Sequence, residues 1–194
     1  MTKAPRLDQS IPVASRGPAD AATPEPKVTL RELFEVHASY VWNTLRRLGV
    51  PDRDLEDLTH DVFVQLQRHL GEYDLSRPVR PWLFGFAFRI ASQDRRRAHH
   101  RREVQGDAIG IDPTARPDEQ LAAEQDRRLV LAALDGMPPE RRAVFVLHEI
   151  DGLPMGEIAG ALGIPVNTAY SRLRVARTEF AASVRRLRPR RGEP

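Results

Sequence analysis

Apolar residues recur along this chain at the three-to-four-residue spacing of amphipathic helices, and no stretch shows the alternation of a half-buried strand. Thr29-x-x-Glu32 reads as a capping box ahead of Leu33, Phe34, Val41, Leu45 and Leu48, and Gly49-Val50-Pro51 ends that helix. A second helix is predicted over about 54–70, with Leu55, Leu58, Val62 and Leu66 on one stripe. Gly71 to Pro78 is a loop, after which Pro81 opens a third helix running to about Arg102. Further helices are predicted over 121–134, over 140–151 between Pro138-Pro139 and Gly152, and over 155–162 and 166–187. The fold class is therefore all-α, with two small helical domains at 29–102 and 121–188 and no internal repeat.

Between the domains lies a predicted flexible acidic linker at 103–120. The wider stretch 103–126 holds seven acidic residues against one arginine, with Gly106, Gly110, Pro113 and Pro117 interrupting any helix. Residues 1–28 carry Pro5, Pro12, Pro18, Pro24 and Pro26 among few apolar groups and are predicted to be a disordered extension. Residues 189–194 form a short basic tail.

The second domain carries a helix-turn-helix pattern from Glu157 to Ala169. Ile158 and Leu162 face inward, small Ala159 permits close approach of the next helix, and Gly163 supplies the left-handed turn. On the following helix Ala169, Leu173, Ala176 and Phe180 fall within about 60° of one another at ~100° per residue, which makes them core. Asn167, Ser171, Arg174 and Thr178 then point the opposite way, flanked by Tyr170 and Val175. Hydroxyl, amide and guanidinium groups on one exposed face suit the edges of bases in a major groove; a plain surface helix is the competing account.

Composition narrows the function classes. Among 194 residues there are no cysteines, which removes disulfides and thiolate metal sites. No window approaches about 18 consecutive apolar residues, and the N-terminal residues lack the apolar run of a secretory signal, so a cytoplasmic protein without a membrane span is expected. The formal net charge of +3 hides clustering, with five arginines in Arg95–Arg102 and five in Arg185–Arg191. A GC-rich genome accounts for arginine over lysine; the clustering points to phosphate. His37, His60, His69, His99, His100 and His148 lack zinc-ligand spacing, and no nucleotide-binding loop, nucleophile elbow or metal-binding carboxylate motif is found. The expectation is a non-enzyme with no cofactor and no metal site.

In the first domain, turning the Leu55/Leu58/Val62/Leu66 stripe inward leaves Asp57, His60, Asp61, Val64 and Arg68 on the outer face of the second helix. An exposed valine beside two carboxylates resembles a partner surface more than a solvated one. The third helix combines Trp82, Phe84, Phe86 and Phe88 with Arg89 and Arg95–Arg97; most of these aromatics must be core, and any left exposed beside arginine can stack on unpaired bases.

These segments together resemble the extracytoplasmic-function sigma factors of bacterial RNA polymerase. Residues 54–64 (DLEDLTHDVFV) look like the family's polymerase-binding helix, DAEDLVQEVFL, and residues 80–87 (RPWLFGFA) look like its FRAWLYRIA segment. Residues 134–142 resemble the LPERQR opening of its second domain, 152–159 (GLPMGEIA) resemble GLSYEEIA, and 166–173 (VNTAYSRL) resemble VGTVKSRL. The matches span about 29–102 and 121–182 in the family's order. The chain departs from the pattern with Arg89 where Asn is common, Gln93 where Asp is common, and Tyr170 where a basic residue is common.

The resemblance implies a subunit that binds core RNA polymerase, directs it to specific promoters and promotes melting of the −10 element. It implies polymerase contacts from Asp54, Glu56, Asp57, Asp61 and Val64. Arg80, Trp82, Phe88, Arg89, Gln93, Arg95 and Arg96 would contact the melted −10 strand, with Arg95 and Arg96 on phosphate. Asn167, Thr168, Tyr170, Ser171, Arg172, Arg174, Val175 and Arg177 would contact the −35 duplex. The implied partners are core polymerase and promoter DNA, with room for an anti-sigma factor. A helix-turn-helix repressor or activator that never enters polymerase accounts for the second domain but not for the 54–64 and 82–88 segments. A polymerase-binding regulator that does not read promoters leaves the recognition helix unexplained.

Overall fold

In a computed structural model, residues 28–105 and 119–188 are described, with side chains over 28–97 and 124–188. The N-terminal extension up to residue 27, the linker core at 106–118, the tail at 189–194 and the side chains of Arg101, Arg102, His99 and His100 lie outside the described residues.

Three helices build the first domain: α1 (Leu30–Arg47), α2 (Leu55–His69) and α3 (Val79–Gln105), each packed on the other two. The capping box forms as the sequence predicts, with the Thr29 hydroxyl accepting from the Glu32 amide at 3.3 Å and Glu32 accepting from the Thr29 amide at 2.8 Å. Val41, Leu45, Leu55, Val62, Leu66, Leu83 and Phe84 are fully enclosed. The helical stripe read from sequence is offset at two points. Phe63 and Thr59 are buried while Leu58 is half-buried, and Phe34 is 45% exposed with only the edge-on contact of its ring to Phe63 at 4.9 Å. The buried stripe of α2 is therefore wider than the predicted line, taking in Thr59 and Phe63 beside Leu55, Val62 and Leu66.

The second domain comprises α4 (Glu119–Asp135), α5 (Pro139–Phe145), α6 (Met155–Leu162) and α7 (Val166–Leu187). Helix α7 is its hub, packing on α4, α5 and α6. The ends of α3 and α4 reach into the 103–120 stretch assigned to the linker. A single helix over 140–151 is not what forms: α5 ends at Phe145 and continues as a π-helical turn, Val146–Ile150, closed by the Asp151 amide bonding to the Val146 carbonyl at 3.0 Å. The wider turn carries an extra residue per bond, a form often found at functional sites. It brings Glu149 to Arg177 and turns Asp151 toward the first domain.

The two domains share one core. Helix α6 packs on α3, where Gly85 leaves room for the Ala161 carbonyl: a Cβ there would sit 3.2 Å from that oxygen. Side chains larger than hydrogen would hold the two backbones apart. No helix among the described residues is long and apolar enough to cross a membrane.

Candidate functional site

Three surfaces carry the predicted functional residues, each set by the helix that presents it. On α2, Glu56, Asp57, His60 and Asp61 are exposed, Asp54 is half-buried just before the helix, and Arg53 pairs with Asp54 at 3.5 Å. Glu56 and Asp57 occupy the first turn, where their charge complements the free amides of the helix end. No ion pair among the described residues engages Asp57 or Asp61. Val64 differs from expectation: it is half-buried rather than exposed, because burial of Phe63 draws that side of the helix inward.

On α3, Arg80, Arg89, Gln93 and Arg96 are exposed. Trp82 and Phe88 are half-buried; Trp82 stacks on Tyr73 at 4.6 Å and meets Phe86 edge-on at 5.4 Å. Tyr73 comes from the 71–78 loop, which its hydroxyl ties by donating to the Arg77 carbonyl at 2.7 Å. Arg89 lies over the Phe86 ring at 4.4 Å. Arg95 corrects the expectation of a phosphate contact: its guanidinium donates to the Leu48 carbonyl at 2.8 Å and is half-buried, with the field of Asp135 and Glu140 acting on it from the second domain. Sequence spacing placed Arg95 beside Arg96 on one patch, whereas the α1 terminus covers one and not the other.

The helix-turn-helix forms with the predicted bounds. Gly163 closes α6 at φ 64°, a left-handed conformation that a side chain would strain, and the Ile164 amide bonds back to the Ala159 carbonyl at 3.0 Å. Ala169, Leu173 and Ala176 are buried, and Phe180 is half-buried against Phe145 at 4.6 Å. A bidentate pair, Arg141 to Glu179 at 2.7 and 2.9 Å, fixes α7 on α5. It also engages the only acidic side chain of α7, so the outer face of that helix carries none.

That face exposes Asn167, Tyr170, Ser171 and Arg174, with Tyr170 57% exposed. Thr168, Arg172 and Val175 are half-buried along its edge. Ser171 donates its hydroxyl to the Thr168 carbonyl at 2.9 Å, leaving its oxygen as an acceptor. Arg177 is held by Glu149 at 2.6 and 2.8 Å. Asn167, Tyr170 and Arg174 are thus the exposed groups of this face whose donors no bond among the described residues consumes.

Residues not singled out by the sequence reading gather where the domains meet. Tyr40 donates to the Asp151 carboxylate at 2.8 Å, Arg47 donates to it at 3.3 Å, and Arg142 is 2% exposed beside Asp135 at 3.1 Å. Burial pushes the Tyr40 hydroxyl well above its ordinary range, reinforced by the neighbouring carboxylate, and burial also raises Asp151. The Arg142 guanidinium is lowered to about 10 by burial, which leaves it charged at neutral pH. Nothing local in the sequence marked Asp151, Tyr40 or Arg47.

No cluster of metal-ligating side chains occurs among the described residues. Residues 33–102 match the family Sigma-70 region 2, and residues 127–180 match Sigma-70, region 4. The ECF RNA polymerase sigma factor SigL of Mycobacterium tuberculosis is 34% identical over 151 residues, covering 76% of this chain and 84% of its own length. The RNA polymerase sigma factor CnrH of Cupriavidus metallidurans is 27% identical, covering 78% of this chain and 84% of its own. The solved structure of CnrH in complex with the cytosolic domain of CnrY superposes with a TM-score of 0.60 at 24% identity, covering 82% of this chain and 89% of that one. The sigma factor RpoE of Bartonella quintana, solved with the anti-sigma factor NepR, gives 0.63 at 18% identity over 81% of this chain and 98% of that one, so the fold is shared with both.

Proposed function

Since this chain belongs to the extracytoplasmic-function sigma factor family of transcription-initiation factors, we propose that it binds core RNA polymerase, directs it to specific promoters and promotes melting at the −10 element. The outer face of α2 is the polymerase contact, through Asp54, Glu56, Asp57 and Asp61 with Val64 at its margin. Arg89 and Gln93, one helical turn apart on α3, read unpaired −10 bases, and Arg96 holds phosphate. Strand separation costs a few kcal/mol of unstacking, which contacts to the displaced strand offset. Helix α7 reads the −35 duplex. Polymerase performs the chemistry, and this chain supplies positioning. The RpoE–NepR complex supports extending the expectation of an anti-sigma partner to this protein.

The observation that carries this reading is the division of charge over the surface. An acidic face lies on α2, where Glu56, Asp57 and Asp61 make no ion pair among the described residues, and a face free of carboxylates lies on α7. In vitro transcription with core polymerase tests it directly. Promoter-dependent initiation on adding this protein is the expected result; a helix-turn-helix regulator that does not enter polymerase yields none.

Within the −35 contact, Arg174 is the residue placed to pair with a guanine edge, because it is exposed on the half of α7 that enters the groove and its guanidinium is unengaged. Arg174→Ala should relax preference at one or two adjacent base pairs by about 1–3 kcal/mol and leave the salt dependence nearly intact. Arg172→Ala should instead weaken binding to all sequences alike and reduce the salt slope. A −35 mutant library transcribed by each variant separates the two; identical base preferences in wild type and Arg174→Ala would remove Arg174 from the reading set.

A further inference from the structure

Among the residues expected on the −35 duplex, Arg177 is engaged inside the protein. Its Nε donates to Oε1 of Glu149 at 2.8 Å, and its Nη2 lies 2.6 Å from the same oxygen. Nε and Nη2 form one side of the guanidinium fork, a side that can meet a phosphate with two parallel bonds. Here it is closed onto a carboxylate. Both side chains are partly in water, Arg177 56% and Glu149 33% exposed, so the pair adds little to folding stability. Its effect falls instead on what approaches α7 from outside.

Arg177 stands seven residues after Tyr170, which at ~100° per residue brings it back to within about 20° of the same line, ~10 Å farther along the helix. A recognition helix inserts its N-terminal half into the groove, so two turns later it passes the bordering phosphates. The acid of α7 itself, Glu179, is turned onto Arg141. Glu149 therefore brings a carboxylate to this edge from outside the helix. The π-helical turn fixes it there. The Asp151 amide bonds to the Val146 carbonyl and the Leu153 amide to the Leu147 carbonyl, both at 3.0 Å, and Nδ1 of His148 lies 3.0 Å from the Leu153 carbonyl. Were Arg177 to swing toward a phosphate, the Glu149 charge would remain beside it and offset the attraction gained.

We propose that Glu149 sets how tightly α7 holds DNA of any sequence: by neutralising Arg177 it withholds one phosphate contact and leaves base reading by Arg174 untouched. The inference rests on the −35 contact proposed above. A phosphate contact carries no sequence information, so an added one strengthens holding on the whole genome along with the promoter. With Arg177 neutralised, sequence-independent binding stays weak and discrimination stays with the base-facing groups.

The test is promoter binding by holoenzyme assembled from core polymerase and the full chain. Anisotropy of a labelled duplex promoter fragment, and of a scrambled one, is followed over a range of salt concentrations. Glu149→Ala should steepen the slope of log K against log salt by about 0.9, the share of one phosphate. The same change tightens binding by up to roughly eightfold at about 0.1 M salt, and equally on both fragments. Glu149→Gln, which keeps an acceptor but drops the charge, should move the slope in the same direction. Adding Arg177→Ala to Glu149→Ala should cancel the gain, because a neutral pair is then replaced by two neutral side chains. A residue that only props α7 would lose affinity on substitution and would not show this cancellation; circular dichroism checks that helix content is retained. Weaker binding by Glu149→Ala would overturn the proposal, since Glu149 would then be presenting Arg177 to phosphate. An unchanged slope, or a double variant that keeps the full gain, would overturn it as well. Failure of the −35 reading looks different: wild-type holoenzyme would not distinguish the promoter fragment from the scrambled one, and this inference would fall with it.

Discussion

Reversing the charge at Asp57 and Asp61 together, as Asp57→Arg with Asp61→Arg, is expected to weaken binding of core polymerase by about 2–5 kcal/mol if the pairs are desolvated in the complex. Both side chains stand one turn apart on the outer face of α2, exposed and with no ion pair among the described residues. Their carboxylates are therefore available to cationic groups on a partner, and reversal replaces attraction with repulsion at two adjacent points. The cost to the domain itself is small. Asp57 lies in the first turn of α2, so placing a cation there forfeits a helix-dipole interaction of roughly 0.3–1 kcal/mol, and neither residue touches the core. The gap between the two effects makes the measurement decisive. Titration of core polymerase with the variant should show a loss of about thirtyfold or more, with an unfolding midpoint close to that of wild type. Unchanged affinity would remove the α2 face from the polymerase contact.

The largest effect on stability is expected at Phe84. Its ring is fully enclosed on α3, parallel to Phe88 at 6.5 Å, in the core that α1, α2 and α3 build together. Phe84→Ala removes the six ring carbons from a fully enclosed site in the core. The cost for such a deletion is about 3–5 kcal/mol. Against a total stability of about 5–15 kcal/mol for a small protein, that is a large share. Urea unfolding followed by circular dichroism should show a midpoint shifted far downward. Phe34→Ala is the natural contrast: its ring is partly in water and touches Phe63 only edge-on, so the shift should be several times smaller. Equal shifts for the two would mean that burial does not rank these rings.

Much of this was legible in the chain because local chemistry decides it. The capping box at Thr29 and Glu32 needs only four residues, and the bounds of α6 and α7 follow from Pro154, Gly163 and Pro165, which no helix interior accommodates cheaply. What escaped were properties that depend on distant partners. Helical spacing assigned Phe34 to the core and passed over Phe63, because a single stripe cannot say which of two adjacent rings a neighbouring helix covers. The π turn after Phe145 has no signature in composition. Arg95 and Arg96 are chemically identical neighbours, and only the position of the α1 terminus separates an interior hydrogen bond from an exposed cation. The candidate site was found to the extent that it faces outward on a single helix. The contacts that join the two domains, Arg47 and Tyr40 of α1 to Asp151 after α5, are 104 and 111 residues apart in sequence and invisible to any pattern along it.

The close approach of α3 and α6 at Gly85 bears on how long a free molecule lasts in the cell. The seam is lined by the same continuous apolar cluster that fills both domains, so parting α3 from α6 would present a strip of core to water. Such a strip invites aggregation and gives proteases an extended substrate. The packing of α6 on α3 shields it. A change that loosens the Gly85 contact is therefore expected to shorten the life of the protein in the cell as well as lower its stability.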